Sequence, residues 1–170
     1  MRELFESWIK ETAVACGLPA ECVMDKPESP SALDPDKRME LAFLAESYDH
    51  TPRRLAKWTV NGGTHRRVRS VVYTARLPIR AEVFSDDEAW LATFVRNFIV
   101  TMPLKRADAE NNLVKVRVEK ATRGGFKRKM VDVFIKRSNC LHITFEWMLC
   151  KDTDLPLIRK VQFNPKIKEA

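Results

Sequence analysis

The chain is poor in the residues that build small-molecule chemistry. It has five glycines, Gly17, Gly62, Gly63, Gly124 and Gly125. Their spacing gives neither a Walker loop nor a dinucleotide fingerprint, both of which need glycines where the backbone approaches a phosphate. Three histidines occur (His50, His65, His142) and four cysteines (Cys16, Cys22, Cys140, Cys150). No Cys-x-x-Cys, His-Glu-x-x-His or Gly-x-Ser-x-Gly pattern is present. A zinc site through Cys140 and His142 would lack two ligands at any usual spacing. If Cys140 and Cys150 share a strand, they stand about 33 Å apart at about 3.3 Å per residue and cannot pair. Free, mostly buried thiols are the expectation. No catalytic residue, cofactor or metal ligand emerges, so the reading is that the chain is not an enzyme.

Long apolar runs are also missing. None approaches the roughly 18 to 20 residues that a membrane span needs. The opening Met1-Arg2-Glu3-Leu4-Phe5-Glu6-Ser7-Trp8 has no signal-peptide core. The expectation is synthesis in the cytoplasm and no membrane partner.

Acidic residues are scarce locally. The net charge is +7, and between His50 and Ala81 there are eight cations and no acid: Arg53, Arg54, Lys57, Arg66, Arg67, Arg69, Arg76 and Arg80. A second basic stretch runs from Lys120 to Arg137, with Asp132 its one acid. Such clusters mark a polyanion nearby, a solvated strand face, or a contact to an acidic protein. Aromatic residues do not interleave with them in the manner of an RNA-recognition motif.

Against these absences one stretch is strongly patterned. Ser85 to Met102 opens on Ser-Asp-Asp-Glu, which reads as a capping box with Ser85 as N-cap and Glu88 three residues on. Leu91, Phe94, Val95, Phe98, Ile99 and Met102 then form one apolar stripe at helical period, and Pro103 ends it. Directly before it, Val71, Tyr73, Ala75, Leu77, Ile79, Ala81 and Val83 alternate with mostly polar residues, the pattern of a half-buried strand. Pro78 interrupts its ladder donors. That predicts an edge, a bulge or a change of partner there, and one end of the strand is expected to run beyond the domain.

Leu4, Phe5, Trp8, Ile9, Thr12, Ala13 and Cys16 predict a first amphipathic helix ended by Gly17. Residues 25–37 read as a Pro-rich loop. Met39 to Ala45 read as a strand, 49–52 as a turn, and Arg54 to Val60 as a short strand. The Asn61-Gly62-Gly63 turn and the run to Arg69 form a basic hairpin tip over 61–69. Residues 105–112 read as a polar connection. Val114 to Val118, Val131 to Ile135 and Leu141 to Leu149 read as strands, with turns at 123–125, 138–139 and 152–156. Residues 157–163 are weakly strand-like, and 164–170 form a loose tail. The expected fold class is α+β: one domain over residues 1–170, with a mostly antiparallel, twisted β-sheet and two amphipathic helices packed on one face.

This order resembles the tail terminator family of tailed bacteriophages. The residues that carry the resemblance are Arg69 to Pro103, with its acidic-capped helix and early Trp90, the late aromatic strand Cys140 to Leu149, and the first helix Leu4 to Cys16. The Pro-rich loop and the C-terminal tail depart from smaller members. The resemblance implies a virion structural protein in the tail or neck. It implies a hexameric ring of self-copies that caps the tail tube, meets a head completion or neck protein, and surrounds transiting DNA. Arg53, Arg54, Lys57, Arg66, Arg67 and Arg69 would then face DNA or an acidic partner. Arg76, Pro78, Arg80, Asp86 and Asp87 would lie at the subunit interface, on the premise that the long strand has an unpaired edge. Two alternatives stay open: a basic α+β nucleic-acid-binding module, and another head-tail adaptor or injection-machine protein.

Overall fold

The first helix forms as its stripe requires. In the computed structural model, which describes residues 1–26, 36–108, 112–123 and 137–157, α1 spans Arg2–Ala15 and buries Phe5, Trp8, Ile9, Thr12 and Ala13. Gly17 takes φ +90°, where a side chain is strained. Leu18 N–H donates to the Ala13 carbonyl at 3.0 Å and Gly17 N–H to that of Val14 at 3.0 Å. That pair of bonds closes the helix as a Schellman motif, with Leu18 buried beneath it.

The strands, in chain order, are β1 (Val23–Asp25), β2 (Arg38–Phe43), β3 (Ser47–Val60), β4 (His65–Ser85), β5 (Lys105–Ala107), β6 (Leu113–Arg123) and β7 (Arg137–Pro156). Helix α2 (Glu88–Thr101) follows β4. The sheet runs β1-β2-β4-β7-β6-β5, with β3 also paired to β4. Strand β1 is parallel to β2, whereas β2–β4, β5–β6 and β6–β7 are antiparallel. The fold is α+β, and the expectation of a mostly antiparallel sheet is corrected to a mixed one.

Pro78 marks a change of partner. Antiparallel pairing of β2 with β4 ends at Phe43↔Ile79, Leu44 N–H donates to the Pro78 carbonyl at 3.0 Å, and β3 is the other strand paired to β4. A residue without an N–H costs least at such a junction. Strand β4 therefore lies between β2 and β7 in the sheet order, which corrects the expectation of an unpaired edge around Pro78.

Several expected turns are strand. Asp49 to Pro52 lie inside the fourteen-residue β3, and pairing to β4 overrides their local turn preference. Proline is tolerated at an edge. Ser138 and Asn139 lie in β7, where Ser138 Oγ donates to Glu82 Oε1 at 3.1 Å. Asp152 to Pro156 also belong to β7. The polar connection after α2 contains β5, paired to β6. The expected strand Val131 to Ile135, the loop residues 27–35, the turn glycines 124–125 and everything from 158 onward lie outside the described residues.

Helix α2 starts later than the capping box predicts. Its N-cap is Asp87, whose Oδ1 accepts the Trp90 N–H at 3.0 Å. Ser85 is the last residue of β4 and fully buried, and its Oγ accepts the Asp87 N–H at 3.0 Å. The ladder holds Ser85 extended, so the helix waits two residues. Glu88 pairs with Arg123. Leu91, Phe94, Val95, Phe98 and Met102 are buried as expected, and Ile99 lies on the exposed margin.

The described chain divides into two compact units: Met1–Asp49 with Thr74–Met148, and His50–Tyr73 with Leu149–Ala170. The first holds the core. Both helices share one buried cluster with Met39, Leu41, Ile79, Val83, Val116, Ile143 and Phe145. Phe5 stacks on Phe145 at 4.3 Å between centroids, and Phe94 lies between Trp90 and Phe98 at 5.0 and 6.0 Å. In the second unit Val68 and Val71 are buried.

Phe94→Ala and Phe98→Ala should each cost about 3–5 kcal/mol, since both rings are fully buried and truncation leaves a void that relaxes only partly. Denaturant midpoints check this, and unchanged midpoints for both would place the α2 stripe elsewhere.

Candidate functional site

No strand is more open than β3. From Ser47 to Thr59 every residue is exposed, and Val60 is half-buried. It pairs with β4, and no second strand partner occurs among the described residues. Its hairpin turn carries Asn61 at φ +53°, Gly62 at +61° and Gly63 at +84°, the left-handed conformations that make Asn-Gly-Gly the right sequence there.

The six expected contact cations do not behave alike. Arg54, Lys57 and Arg66 are exposed and make no ion pair with a described residue. Arg53 is exposed as well. Arg67 and Arg69 are already engaged. Arg67 Nε and Nη2 donate to the two carboxylate oxygens of Asp154 at 2.7 Å each. Arg69 grips Asp152 in the same way at 2.8 and 2.9 Å. Its guanidinium also lies 5.7 Å from the Trp58 ring centroid. These two-pronged pairs tie β4 to β7. The Arg69 hydrogen bond holds the Asp152 carboxyl below its usual range, and Arg67 does the same for Asp154. The sequence carried a signal for this: Arg-x-Arg on one strand and Asp-x-Asp on another have matching two-residue periods.

Exposed aromatic residues accompany the cations. Trp58 is 38% and Tyr73 40% exposed, and Tyr73 packs against His50 at 5.3 Å.

Three of the expected subunit-interface residues, Arg76, Arg80 and Asp87, are also spoken for. Arg76 reaches Asp49 and Glu146, each at 3.1 Å. Burial pushes the Glu146 carboxyl up, and its hydrogen bond from Arg76 and the charge of Lys115 outweigh that and hold it low. Arg80 Nε donates to Cys140 Sγ at 3.2 Å, and its Nη2 lies 3.8 Å from Glu82 Oε2. Asp87 caps α2, Asp86 is exposed, and Pro78 is half-buried. Arg76, Arg80, Glu82, Ser138, Cys140 and Glu146 thus form a polar ladder across β4 and β7. They alternate with the core residues, as period two demands.

The four cysteines are free. Only Cys140 is buried, while Cys150 is exposed and Cys16 and Cys22 are half-buried, which corrects the expectation of mostly buried thiols. The Cys140 Sγ stands 3.7 Å from His142 Nε2. Among the described residues no group of three potential metal ligands converges, and no helix is long and apolar enough to cross a membrane.

No protein-family model matches the chain, and no curated protein matches it.

The Asp–Arg pairs set a pH dependence. Both aspartates have lowered folded-state pKa values, so their contribution is complete above the ordinary aspartate value of about 3.9 and is lost as pH falls below it. Between about pH 4 and 2 the melting temperature of Asp152→Asn/Asp154→Asn should decline less steeply than that of the unaltered chain. Thermal scans across that range test it, and parallel curves would mean the pairs contribute nothing to folding.

Proposed function

We propose that the chain is a structural virion protein of a tailed bacteriophage. In this reading it is a terminator-like subunit that closes into a ring, caps the completed tail tube and joins it to the head-neck connector around the DNA channel. The observation that carries it is β3: fourteen residues with not one buried. The strand is an edge paired to β4 alone among the described residues, and a strand left exposed along its whole length supports a role in assembly rather than in a monomer's core. The order of α1, the long β4, α2 and the late aromatic strand of β7 accords with the same family pattern. Such a protein acts by geometry. A surface of one copy meets a different surface of the next, and the rotation closes the ring.

A second reading is a basic nucleic-acid-binding module without a ring. Exposed Trp58 and Tyr73 beside Arg54 and Lys57 favour it, because stacking platforms beside cations suit single strands.

Imaging of assembled particles separates the two. Sixfold density for this chain at the head-proximal end of the tail is the expected result. One asymmetric copy per particle, or a stoichiometric complex with RNA and no particle, would end the ring reading.

A further inference from the structure

Among the described residues, the acids that form ion pairs hold cations other than Arg54, Lys57 and Arg66. Asp25, Glu11, Glu40 and Glu88 hold Arg2, Arg106, Arg38 and Arg123 of the same chain, and Asp152 and Asp154 hold Arg69 and Arg67. Asp87 is used as the α2 cap. The acidic cluster expected to meet the basic block of a neighbouring copy is therefore largely consumed. Asp86 alone of its three members is left without an assigned role. Meanwhile Arg54, Lys57 and Arg66 remain exposed without an ion pair among the described residues. A second copy would bring the same surplus of cations.

We infer that the ribbon formed by β3 and the start of β4 binds the phosphate backbone of double-stranded DNA through Arg54, Lys57 and Arg66. The inference deepens the ring reading, on which its biological setting rests, by naming what the ribbon meets. Duplex is favoured over single strand by the state of the aromatic rings. Trp58 has the Arg69 guanidinium over one face and Tyr73 meets His50 in a tilted contact, which leaves less of each ring to stack on an unstacked base. What is left on offer is charge, which suits a nucleic acid whose bases stay stacked inside. Alternation along β3 puts Arg54 and Lys57 on opposite faces. Long cationic side chains on either face of an edge strand can both reach past that edge, and their contacts to phosphate carry no sequence readout. Arg67 and Arg69 do not belong to this set, because each is already neutralised.

The test is binding of the purified full-length chain to a short fluorescent duplex, and to the matching single strand, across about 50 to 200 mM salt. Arg54→Ser/Lys57→Ser/Arg66→Ser should weaken duplex binding. It should also flatten the slope of log affinity against log salt by about 0.9 for each phosphate no longer neutralised. Arg96→Ser/Arg117→Ser/Lys120→Ser removes the same charge from exposed positions elsewhere and should leave that slope unchanged. Equal weakening in both variants, tighter binding of the single strand, or no duplex binding at the lowest salt would each overturn the inference. Particle mass, measured separately, keeps the ring reading distinct. Rings without duplex binding would sink this inference alone, and duplex binding without rings would sink the ring alone.

Discussion

Strand β4 is the constraint on which the rest depends. Its twenty-one residues run from the basic turn to the start of α2, and residues of both compact units belong to it. A central strand must satisfy donors and acceptors on both sides, because an unpaired buried backbone group costs about as much as a missing hydrogen bond. Here β7 lies on one side, and on the other β2 and β3 divide the task. The division falls at Pro78, the one residue in the strand with no N–H to satisfy. Moving that proline by a residue would place the missing donor against β2 or turn its ring toward the core. The alternation that buries Leu77, Ile79, Ala81 and Val83 would then lose its register.

The same alternation sorts the electrostatics. On the core side of β4 and β7 the helices cover apolar side chains, with Phe5 stacked on Phe145 as the closest aromatic contact. On the other side arginines and carboxylates cross from strand to strand. Arg76 with Glu146 and Arg80 with Cys140 are held there within the first unit. Within the second unit, Arg67 and Arg69 hold Asp154 and Asp152. Exposed pairs of this sort add little stability singly. Their effect is on register, since a two-pronged guanidinium pair breaks when one strand slips by a residue. A chain with a net charge of +7 thus spends many of its described acids on positioning its own strands and leaves Arg54 and Lys57 of β3 without an ion pair among the described residues.

The sequence was most legible where one period ran uninterrupted. The stripes of α1 and α2 and the alternation from Val71 to Val83 needed only local reading, and most of their apolar faces are buried as expected, with Tyr73 and Ile99 exposed instead. It misled where a local signal competed with a long-range partner. Asp49-His50-Thr51-Pro52 has turn chemistry, yet β4 lies alongside and draws it into a strand. Ser85 is a good N-cap by type, but the ladder keeps it extended and Asp87 takes over. Asp152 and Asp154 resemble turn carboxylates until Arg69 and Arg67 are placed opposite them. The basic cluster was legible as a cluster only. Which of its arginines are engaged depends on β7, far along the chain, with separations of 83 and 87 residues for the two pairs.

The edges of the sheet restrict how copies of this chain can meet. The sheet order ends at β1 and β5, each three residues long, and edges that short offer little to a pairing strand. Strand β3 is a long exposed edge among the described residues, and it carries Pro52, Arg53, Arg54 and Lys57 in close succession. Two such edges brought together would oppose like charges along their length and would meet a missing donor at Pro52. Both devices block edge-to-edge pairing. Ring closure by shared β-strands through β3 is therefore disfavoured. A ring built from this chain would not join β3 to β3, and the cations of β3 would be turned toward something other than another β3.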